Sequence, residues 1–455
     1  MKIKLYLTAC LLVLGLSCAH AVPAKKGVKR TIKLADGTSV VAELKGDEFA
    51  SYWQADDGKC YVQDIDSHTF KITDKAQVVN RGLAKRQKAN DERIKRFSKR
   101  GPKREITGAF SHFTGTKKGL IILVNFKDVK FGRTHTRAMF DNIANKKGFT
   151  NSLGFKGSVK DYFLAQSNGQ FELDFDVVGP YTLSQNMAYY GAHSKDGLQD
   201  VKPGHMVLEA CQMADKDVNY KDYDWDGDGE VDQVFVIYAG FGEADGGSED
   251  TIWPHESQLL TWVGKPYETK DGVSVNTYAC GNENTYDMLG RSRINGIGTI
   301  CHEFSHCLGY PDLYDTNYSG NFGMGSFDLM CSGSYNGESF CPPNYSAYEK
   351  WIAGWITPTV LDKPASVKGM QAQDVKYGQA FVVYNDNNKN EYYLIENRQQ
   401  NVGIWDNQLP ASGMMITHVD YDENVWGWNN VNSIVNYSNQ YGSEYAYLDN
   451  DHQRL

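Results

Sequence analysis

The pattern of apolar and polar positions divides the chain into three parts. In the first part, residues 22–85, apolar and polar residues alternate in short runs that are separated by the turn pairs Asp36-Gly37 and Asp57-Gly58. Such alternation is typical of half-buried strands, and Asp-Gly favours tight hairpin turns. This part therefore predicts a small antiparallel β unit, which a polar helix or linker follows.

Longer apolar runs follow in the second part and are typical of strands that are buried on both faces. The strands predicted in this part are 119–126, 171–178 and 234–239, and the predicted helices are 159–165 and 203–214; strands 381–384 and 392–395 are predicted in the third part. Because strands and helices alternate up to about residue 358, we predict an α/β core with a twisted, mostly parallel sheet. From about residue 360 onward, the third part, the pattern is β-rich.

The amino-terminal residues predict export from the cytoplasm. Lys2 and Lys4 precede an apolar run at 5–16, and Ala19-His20-Ala21 has the small-x-small pattern of a cleavage site. We expect a secretory signal that is cleaved after Ala21, and a secreted or periplasmic protein. The apolar run is shorter than the ~20 residues that span a bilayer, and no later run is long enough, so no stable membrane insertion is expected after cleavage. Acylation of Cys18 is an open alternative.

Charge is distributed unevenly along the 455 residues. The formal net charge is −9, yet residues 22–104 contain 20 Lys/Arg and only 11 Asp/Glu. The acidic remainder argues against a nucleic-acid-binding protein, which needs a basic working domain. The basic residues are densest at 95–104, beside Gly101-Pro102, and this stretch predicts a joint that proteases can cut; an ordinary solvated linker is the alternative.

Seven cysteines remain after the predicted signal is removed, and in an oxidising compartment they are candidates for disulfide bonds. They are Cys60, Cys211, Cys280, Cys301, Cys307, Cys331 and Cys341. An odd number leaves at least one thiol unpaired, and the spacing does not select a pairing.

The strongest chemical signal is a His-Glu-x-x-His motif. On a helix, His302 and His306 lie four residues apart on one face, so both imidazoles can bind one metal ion. Zinc suits this pair of ligands. Glu303 follows the first ligand and is placed to deprotonate a zinc-bound water without binding the metal itself.

Two residues compete for the role of third zinc ligand. Gly309 favours a left-handed end to the helix and Pro311 prevents its continuation, so a sharp turn can return Asp312 to the metal. Glu349, in a predicted helix at 345–351, is the alternative, in the manner of the downstream glutamate of thermolysin-like enzymes. Met330 lies in a Gly/Ser-rich stretch that resembles the Met-turn below the metal in metzincins.

An acidic loop suggests a second metal. Acidic side chains fall at positions 1, 3, 5 and 9, with glycine at position 6, as in the first nine residues of a calcium loop, and Glu230 adds a further carboxylate at position 7. The predicted calcium ligands are Asp224, Asp226, Asp228, Glu230 and Asp232. Phe235 stands where an EF-hand has its bidentate glutamate, so the site would be a shortened one. A plain acidic turn is the alternative.

Tyr335 and His255 are further candidates for the catalytic site. Tyr335 follows Met330 by five residues, and His255 lies in a predicted strand at the border of the cleft. Each could donate a hydrogen bond to the oxyanion of a tetrahedral intermediate. The alternative is that both serve packing and local hydrogen bonds.

The stretch from Asn295 to Cys301, the helix that follows and Leu308-Gly309-Tyr310-Pro311-Asp312 resemble the immune inhibitor A family of secreted bacterial metallopeptidases. Similar stretches span about 119–420, and Gly46-Asp47-Glu48 resembles the family's pro-region. The resemblance implies a metzincin-like zinc endopeptidase that is made as a latent precursor, acts on proteins or peptides and is inhibited by its own pro-domain. Relatives continue past Leu455, which predicts a truncated form.

These observations together predict five regions and one function. The regions are a signal peptide at 1–21, a β-rich pro-domain at 22–94, a basic processing linker at 95–118, a zinc peptidase domain at 119–358 and a β-rich extension at 359–455. The predicted function is hydrolysis of peptide bonds in extracellular proteins. The alternative is a calcium-dependent extracellular binding or adhesion module with a structural zinc, which Glu303 argues against because a closed structural site needs no general base.

Overall fold

The computed structural model describes most of the chain after the predicted signal. The described residues are 21–86, 113–194, 199–287, 289–317, 319–427, 429–436, 438, 439, 443, 446, 449–452 and 455. The predicted signal up to residue 20 and the predicted joint at 95–104 lie outside them.

The amino-terminal part is a five-stranded antiparallel sheet, in which each strand pairs with the next along the chain. Its strands are β1 (Lys29–Lys33), β2 (Ser39–Gly46), β3 (Ser51–Ala55), β4 (Cys60–Gln63) and β5 (Phe70–Thr73), and residues 75–86 form helix α1. The prediction of a small β unit is confirmed. We call this sheet with α1 the pro-sheet.

The central sheet has the predicted α/β character. Its order is β13-β12-β8-β6-β7, in which β7, β6, β8 and β12 run parallel, and β9 and β13 add antiparallel partners to β12. The strands are β6 (Gly115–Asn125), β7 (Phe171–Thr182), β8 (Val234–Phe241), β9 (His255–Gln258), β12 (Thr277–Tyr286) and β13 (Ser292–Ile294), with a small hairpin of β10 (Tyr267–Glu268) and β11 (Ser274–Val275) beside them.

One predicted boundary is wrong. The linker was expected to extend to residue 118, but β6 begins at Gly115. Its first residues are polar and still pair with β7, where Lys118 forms an ion pair of 3.0 Å with Asp176. A run of apolar residues predicts only the part of a strand that is buried. The polar first residues of β6 therefore could not be predicted from the pattern.

Helices cover both faces of the central sheet. They are α2 (Arg137–Asn145), α3 (Val159–Gln166), α4 (Met187–Gly191), α5 (Pro203–Ala214), α6 (Leu259–Val263) and α7 (Gly298–Cys307). Ile143 of α2, Val159 of α3 and Phe304 of α7 join one buried apolar cluster, whereas Val207 of α5 belongs to the cluster on the opposite face. Sheet and helices therefore hold α7 in a packed core.

The carboxyl-terminal part is a second, mostly antiparallel sheet. It contains β14 (Thr359–Val360), β15 (Ala380–Tyr384), β16 (Glu391–Arg398) and β17 (Gly413–Asp420), and α8 (Ala347–Ile352) and α9 (Glu423–Gly427) flank it. Leu394 and Val419 lie in the same apolar cluster as Phe304. This sheet thus packs behind the helix that carries the His-Glu-x-x-His motif.

None of the seven cysteines after the predicted signal forms a disulfide bond in the described part of the chain, and six of them are buried, whereas Cys307 is partly exposed. Among the described residues, no helix combines the length and the apolar character needed to cross a membrane.

Candidate metal centre and cleft

Helix α7 is fixed at both ends by glycine. At its start, a Cβ on Gly298 would lie 1.8 Å from the carbonyl oxygen of Ser334, so only glycine permits this close approach. Gly309, which lies just after the carboxyl-terminal end of the helix, has a φ of +98°, the left-handed conformation predicted for it. The turn that follows returns the chain, and Asp312 comes back to the helix.

The hydrogen bonds of the two histidines define their tautomers. Nδ1 of His302 lies 2.7 Å from the carbonyl oxygen of Leu329, and Nδ1 of His306 lies 2.7 Å from that of Tyr310. Because a carbonyl can only accept a hydrogen bond, each Nδ1 carries the proton and each Nε2 presents a lone pair. Such an outer hydrogen bond is typical of metal-binding histidines.

Three lone-pair atoms converge at one buried point. The Nε2 atoms of His302 and His306 lie 3.1 Å apart, and Oδ1 of Asp312 lies 3.2 and 3.3 Å from them. A tetrahedral zinc site with bonds of ~2.0–2.1 Å separates its ligands by about 3.3 Å. Since these atoms would repel one another without a cation between them, the donor set fits zinc.

Asn429 orients the carboxylate of Asp312, a role that the sequence did not reveal. Its amide Nδ2 donates to Oδ2 of Asp312 over 2.7 Å, and its Oδ1 accepts the backbone N–H of Asp312 over 2.6 Å. This clamp leaves Oδ1 of Asp312 directed at the two histidines. The two residues are 117 positions apart, and no local pattern around Asn429 signals the contact.

Glu303 lies next to this group and is fully buried. Burial raises the pKa of its carboxyl well above the usual range, and the backbone N–H of Val22 opposes the shift by donating to Oε1 over 2.9 Å. A raised pKa makes the carboxylate a stronger proton acceptor.

Val22 belongs to a segment of residues 21–25 that lies in the cleft, which we call the cleft segment. The indole of Trp253 donates to the carbonyl of Val22 over 2.9 Å, and the hydroxyl of Tyr335 donates to the carbonyl of Pro23 over 2.8 Å. Side chains of the central part of the chain thus hold the backbone of this segment through its carbonyl groups. The sequence did not predict this placement, because no pattern in residues 21–25 indicates it.

Glu349, the alternative third ligand, does not reach the metal group. Its Oε2 accepts hydrogen bonds from the backbone N–H and the hydroxyl of Ser346, 2.8 and 3.0 Å away, and so caps its own helix. The three grouped donors are His302, His306 and Asp312. Capping explains why a carboxylate with suitable spacing is directed elsewhere.

His255 lies on β9 in a buried hydrogen-bonding network. Nδ1 is 2.7 Å from the carbonyl of Trp253, and Nε2 is 3.0 Å from the hydroxyl of Tyr278. Burial lowers the pKa of His255 to about 4, so the imidazole is neutral near pH 7. Both ring nitrogens have local partners, which favours the structural alternative over a contact with substrate.

The acidic loop places three of its carboxylates together. Oxygens of Asp224, Asp226 and Asp232 all lie within 4.8 Å of one another. Asp228 and Glu230 are outside that group, although Oδ1 of Asp228 accepts the backbone N–H of Glu230 over 2.9 Å. Two of the five predicted calcium ligands are therefore not part of it, and calcium binding stays a prediction.

Comparison with known proteins identifies the family. Residues 109–356, more than half of the chain, match the model described as immune inhibitor A peptidase M6, catalytic domain. This chain belongs to the immune inhibitor A family of metallopeptidases. The match includes the metal group, Glu303 and Tyr335, and the resemblance stated from the sequence is confirmed.

Two kinds of relative in the immune inhibitor A family illustrate the match. The pre-pro-metalloprotease PrtV of Vibrio cholerae serotype O1 (strain M66-2) is 29% identical over 259 residues, which cover 49% of this chain and 28% of PrtV. Immune inhibitor A of Bacillus thuringiensis subsp. alesti is 28% identical over 296 residues, which cover 56% of this chain and 42% of the relative. The aligned part thus spans less than half of each relative's length.

Membership in the immune inhibitor A family implies a metallopeptidase with zinc as its metal. The mixed α/β fold fits such a peptidase domain. The family does not favour the alternative of a binding module with a structural zinc.

Proposed function

We propose that this chain is a secreted zinc endopeptidase that is made as a latent precursor. The observation that carries the proposal is the buried group of His302, His306 and Asp312 with Glu303 beside it. Extracellular proteins or peptides are the proposed substrates. The predicted signal and the name of the relative PrtV, a pre-pro-metalloprotease, support export in a precursor form.

The chemistry follows from the positions of the side chains. The two histidines and Asp312 would hold zinc, which when bound supplies a Lewis acid for the attacking water and the scissile carbonyl. Glu303 takes a proton from that water and delivers it to the nitrogen of the leaving amine. In the uncut chain the N–H of Val22 places a peptide nitrogen 2.9 Å from Oε1 of Glu303, within reach of such a transfer. After the predicted cut behind Ala21, the same nitrogen is the amino terminus.

Tyr335 is proposed to bind a backbone carbonyl of the substrate or its oxyanion. Its hydroxyl donates to the carbonyl of Pro23, and burial raises its pKa, so the hydroxyl keeps its proton. A neutral hydroxyl that already points at a peptide carbonyl in the cleft is a suitable donor. We assign no catalytic role to His255.

Latency is proposed to result from occupation of the cleft. The cleft segment contacts Glu303, and Trp53 of the pro-sheet shares one buried apolar cluster with Trp253 of the peptidase domain. We propose that residues 22–94 form the pro-domain, that cutting within 95–104 releases it, and that 359–455 form an extension of a metzincin-like core. Calcium is proposed to bind near Asp224, Asp226 and Asp232.

The Glu303→Gln variant tests this function. Gln retains the size of the side chain but cannot accept a proton, so processed protein should retain one equivalent of zinc and lose casein hydrolysis by about 10²–10⁴-fold. Glu268→Gln, at an exposed position on β10, is the matched control and should cleave casein normally.

Either of two results would contradict the proposal. One is near-normal hydrolysis by the Glu303→Gln variant; the other is processed wild-type protein that binds zinc and hydrolyses no protein substrate. The second result, together with loss of fold on zinc removal, would favour the binding module with a structural zinc.

A further inference from the structure

Lys25 of the cleft segment inserts its side chain into a pocket of the peptidase domain. Its Nζ donates to Oγ1 of Thr285 and to the carbonyl of Tyr286, each over 2.9 Å, and lies 3.9 Å from Oδ1 of Asp245. Only 14% of the Lys25 side chain and 1% of the Asp245 side chain are exposed. The backbone N–H of Lys25 donates to the carbonyl of Ala244 over 3.0 Å, which fixes the chain above the pocket.

The peptidase domain itself orients Asp245. Nδ2 of Asn282 donates to Oδ2 over 2.7 Å, and Nδ2 of Asn295 donates to the same atom over 3.4 Å. The hydroxyl of Thr285 donates to Oδ1 over 2.9 Å. These donors are neutral, and all belong to residues that remain after the pro-sheet leaves. The carboxylate of Asp245 is therefore held in place even without Lys25. Once Lys25 has left, its ammonium group no longer balances the negative charge of this carboxylate.

The two hydrogen-bond acceptors and the nearby carboxylate match an ammonium group better than a guanidinium group. A hydroxyl, a carbonyl and a carboxylate oxygen converge on the single Nζ of Lys25. An ammonium group has three rotatable donors on one atom, whereas a guanidinium group spreads its donors over a planar fork. The pocket thus has the geometry of a lysine site.

We propose that Asp245, with Thr285 and the carbonyl of Tyr286, forms a subsite of the peptidase cleft that binds a lysine side chain of the substrate. The inference rests on the proposed function, and it names the substrate class of that cleft. Lys25 is three residues from Val22, about 10 Å along an extended chain, and Val22 presents its nitrogen to Glu303. A substrate that runs in the same direction would carry lysine as the fourth residue after the scissile bond.

Binding of a synthetic peptide of residues 22–30 to processed protein tests the subsite without any need for catalysis. Replacing Lys25 of the peptide with norleucine should weaken binding to wild-type protein at least 10-fold. Replacing Lys26, which is exposed, is the matched control and should have little effect. With Asp245→Asn protein the penalty for norleucine at position 25 should shrink, because the carboxylate charge that attracts the lysine is gone while the hydrogen bonds to Thr285 and Tyr286 remain. If Asp245→Asn fails to fold, Thr285→Val replaces it.

Cleavage of a randomised peptide library gives the second readout. Wild-type protein should enrich lysine at one fixed distance from the cut, and Asp245→Asn should lower the ratio of kcat/KM for lysine over norleucine at that position by at least 10-fold. Glu249→Gln, which removes an acidic partner of Arg30 outside the cleft, should leave that ratio unchanged. Equal effects of positions 25 and 26, or a norleucine penalty that is undiminished in Asp245→Asn, would overturn the inference. Loss of all cleavage with intact peptide binding would count against the proposed function alone.

Discussion

The backbone N–H of Val22 donates a hydrogen bond of 2.9 Å to Oε1 of Glu303, and so joins residues 281 positions apart. The first residues after the predicted signal thereby contact the proposed general base. A substrate must reach the same carboxylate, so the cleft segment and a substrate exclude each other.

We expect the precursor to be inactive until the basic joint is cut. Replacing the Lys and Arg residues of 95–104 with alanine should block processing and keep casein hydrolysis at least 100-fold below that of processed protein. Residues 22–105 carry 20 Lys/Arg and 12 Asp/Glu, whereas the chain as a whole carries −9. The excised pro-domain should therefore inhibit in trans, and more weakly as salt rises. Full activity of the uncut precursor would show that the pro-domain does not enforce latency.

Asn429→Ala should weaken zinc binding by about 10–100-fold, because the carboxylate of Asp312 loses the amide that orients it. The measurement is competition between the processed protein and a chelator of known zinc affinity. Asn387→Ala, at an exposed turn, serves as the control. An unchanged zinc affinity in Asn429→Ala would show that the rest of the fold holds Asp312 in place.

Removing calcium, with zinc kept saturated, should lower the melting temperature if the acidic loop binds the ion, because a ligand of the folded state stabilises it by mass action. Asp226→Ala should abolish that difference. Asp386→Ala, whose carboxylate is fully exposed, should retain it. If calcium does not alter the melting of the wild-type protein, the loop is a plain acidic turn.

The ion pair of His193 with Glu243 should make precursor stability depend on pH. Burial disfavours the charged imidazole, but the Glu243 carboxylate 2.9 Å away outweighs burial and raises the pKa of His193 to about 9. A pKa that is higher in the folded state gives stabilisation that is complete below about pH 6.5 and is lost as pH rises through 9.

The corresponding measurement compares wild-type precursor with His193→Gln. At pH 6 the wild type should melt about 2–4 °C higher, and the gap should close by pH 9.5. His68→Gln, at an exposed turn of the pro-sheet, corrects for groups that titrate elsewhere. A gap that stays constant over this range would mean that the imidazole of His193 does not titrate there.

The sequence alone determined the features that depend on neighbouring residues. The spacing of His302 and His306 placed both imidazoles on one helical face, and Gly309 with Pro311 predicted the turn that returns Asp312. The boundaries of α5 were predicted to the residue, because its pattern has the helical period and begins with Pro203. The relative positions of residues this close in sequence are set mainly by the local backbone geometry.

Only the tertiary structure decided the relationships between distant segments. It turned Glu349 to cap α8, and it brought Asn429 to Asp312 and Val22 to Glu303. Nothing in the residues around Asn429 or Val22 signals those contacts, since a hydrogen bond across more than a hundred residues depends on how whole sheets pack. The His-Glu-x-x-His motif therefore predicted the metal ligands and the proposed general base. The packing of the pro-sheet and of the carboxyl-terminal part decided which other residues contact them.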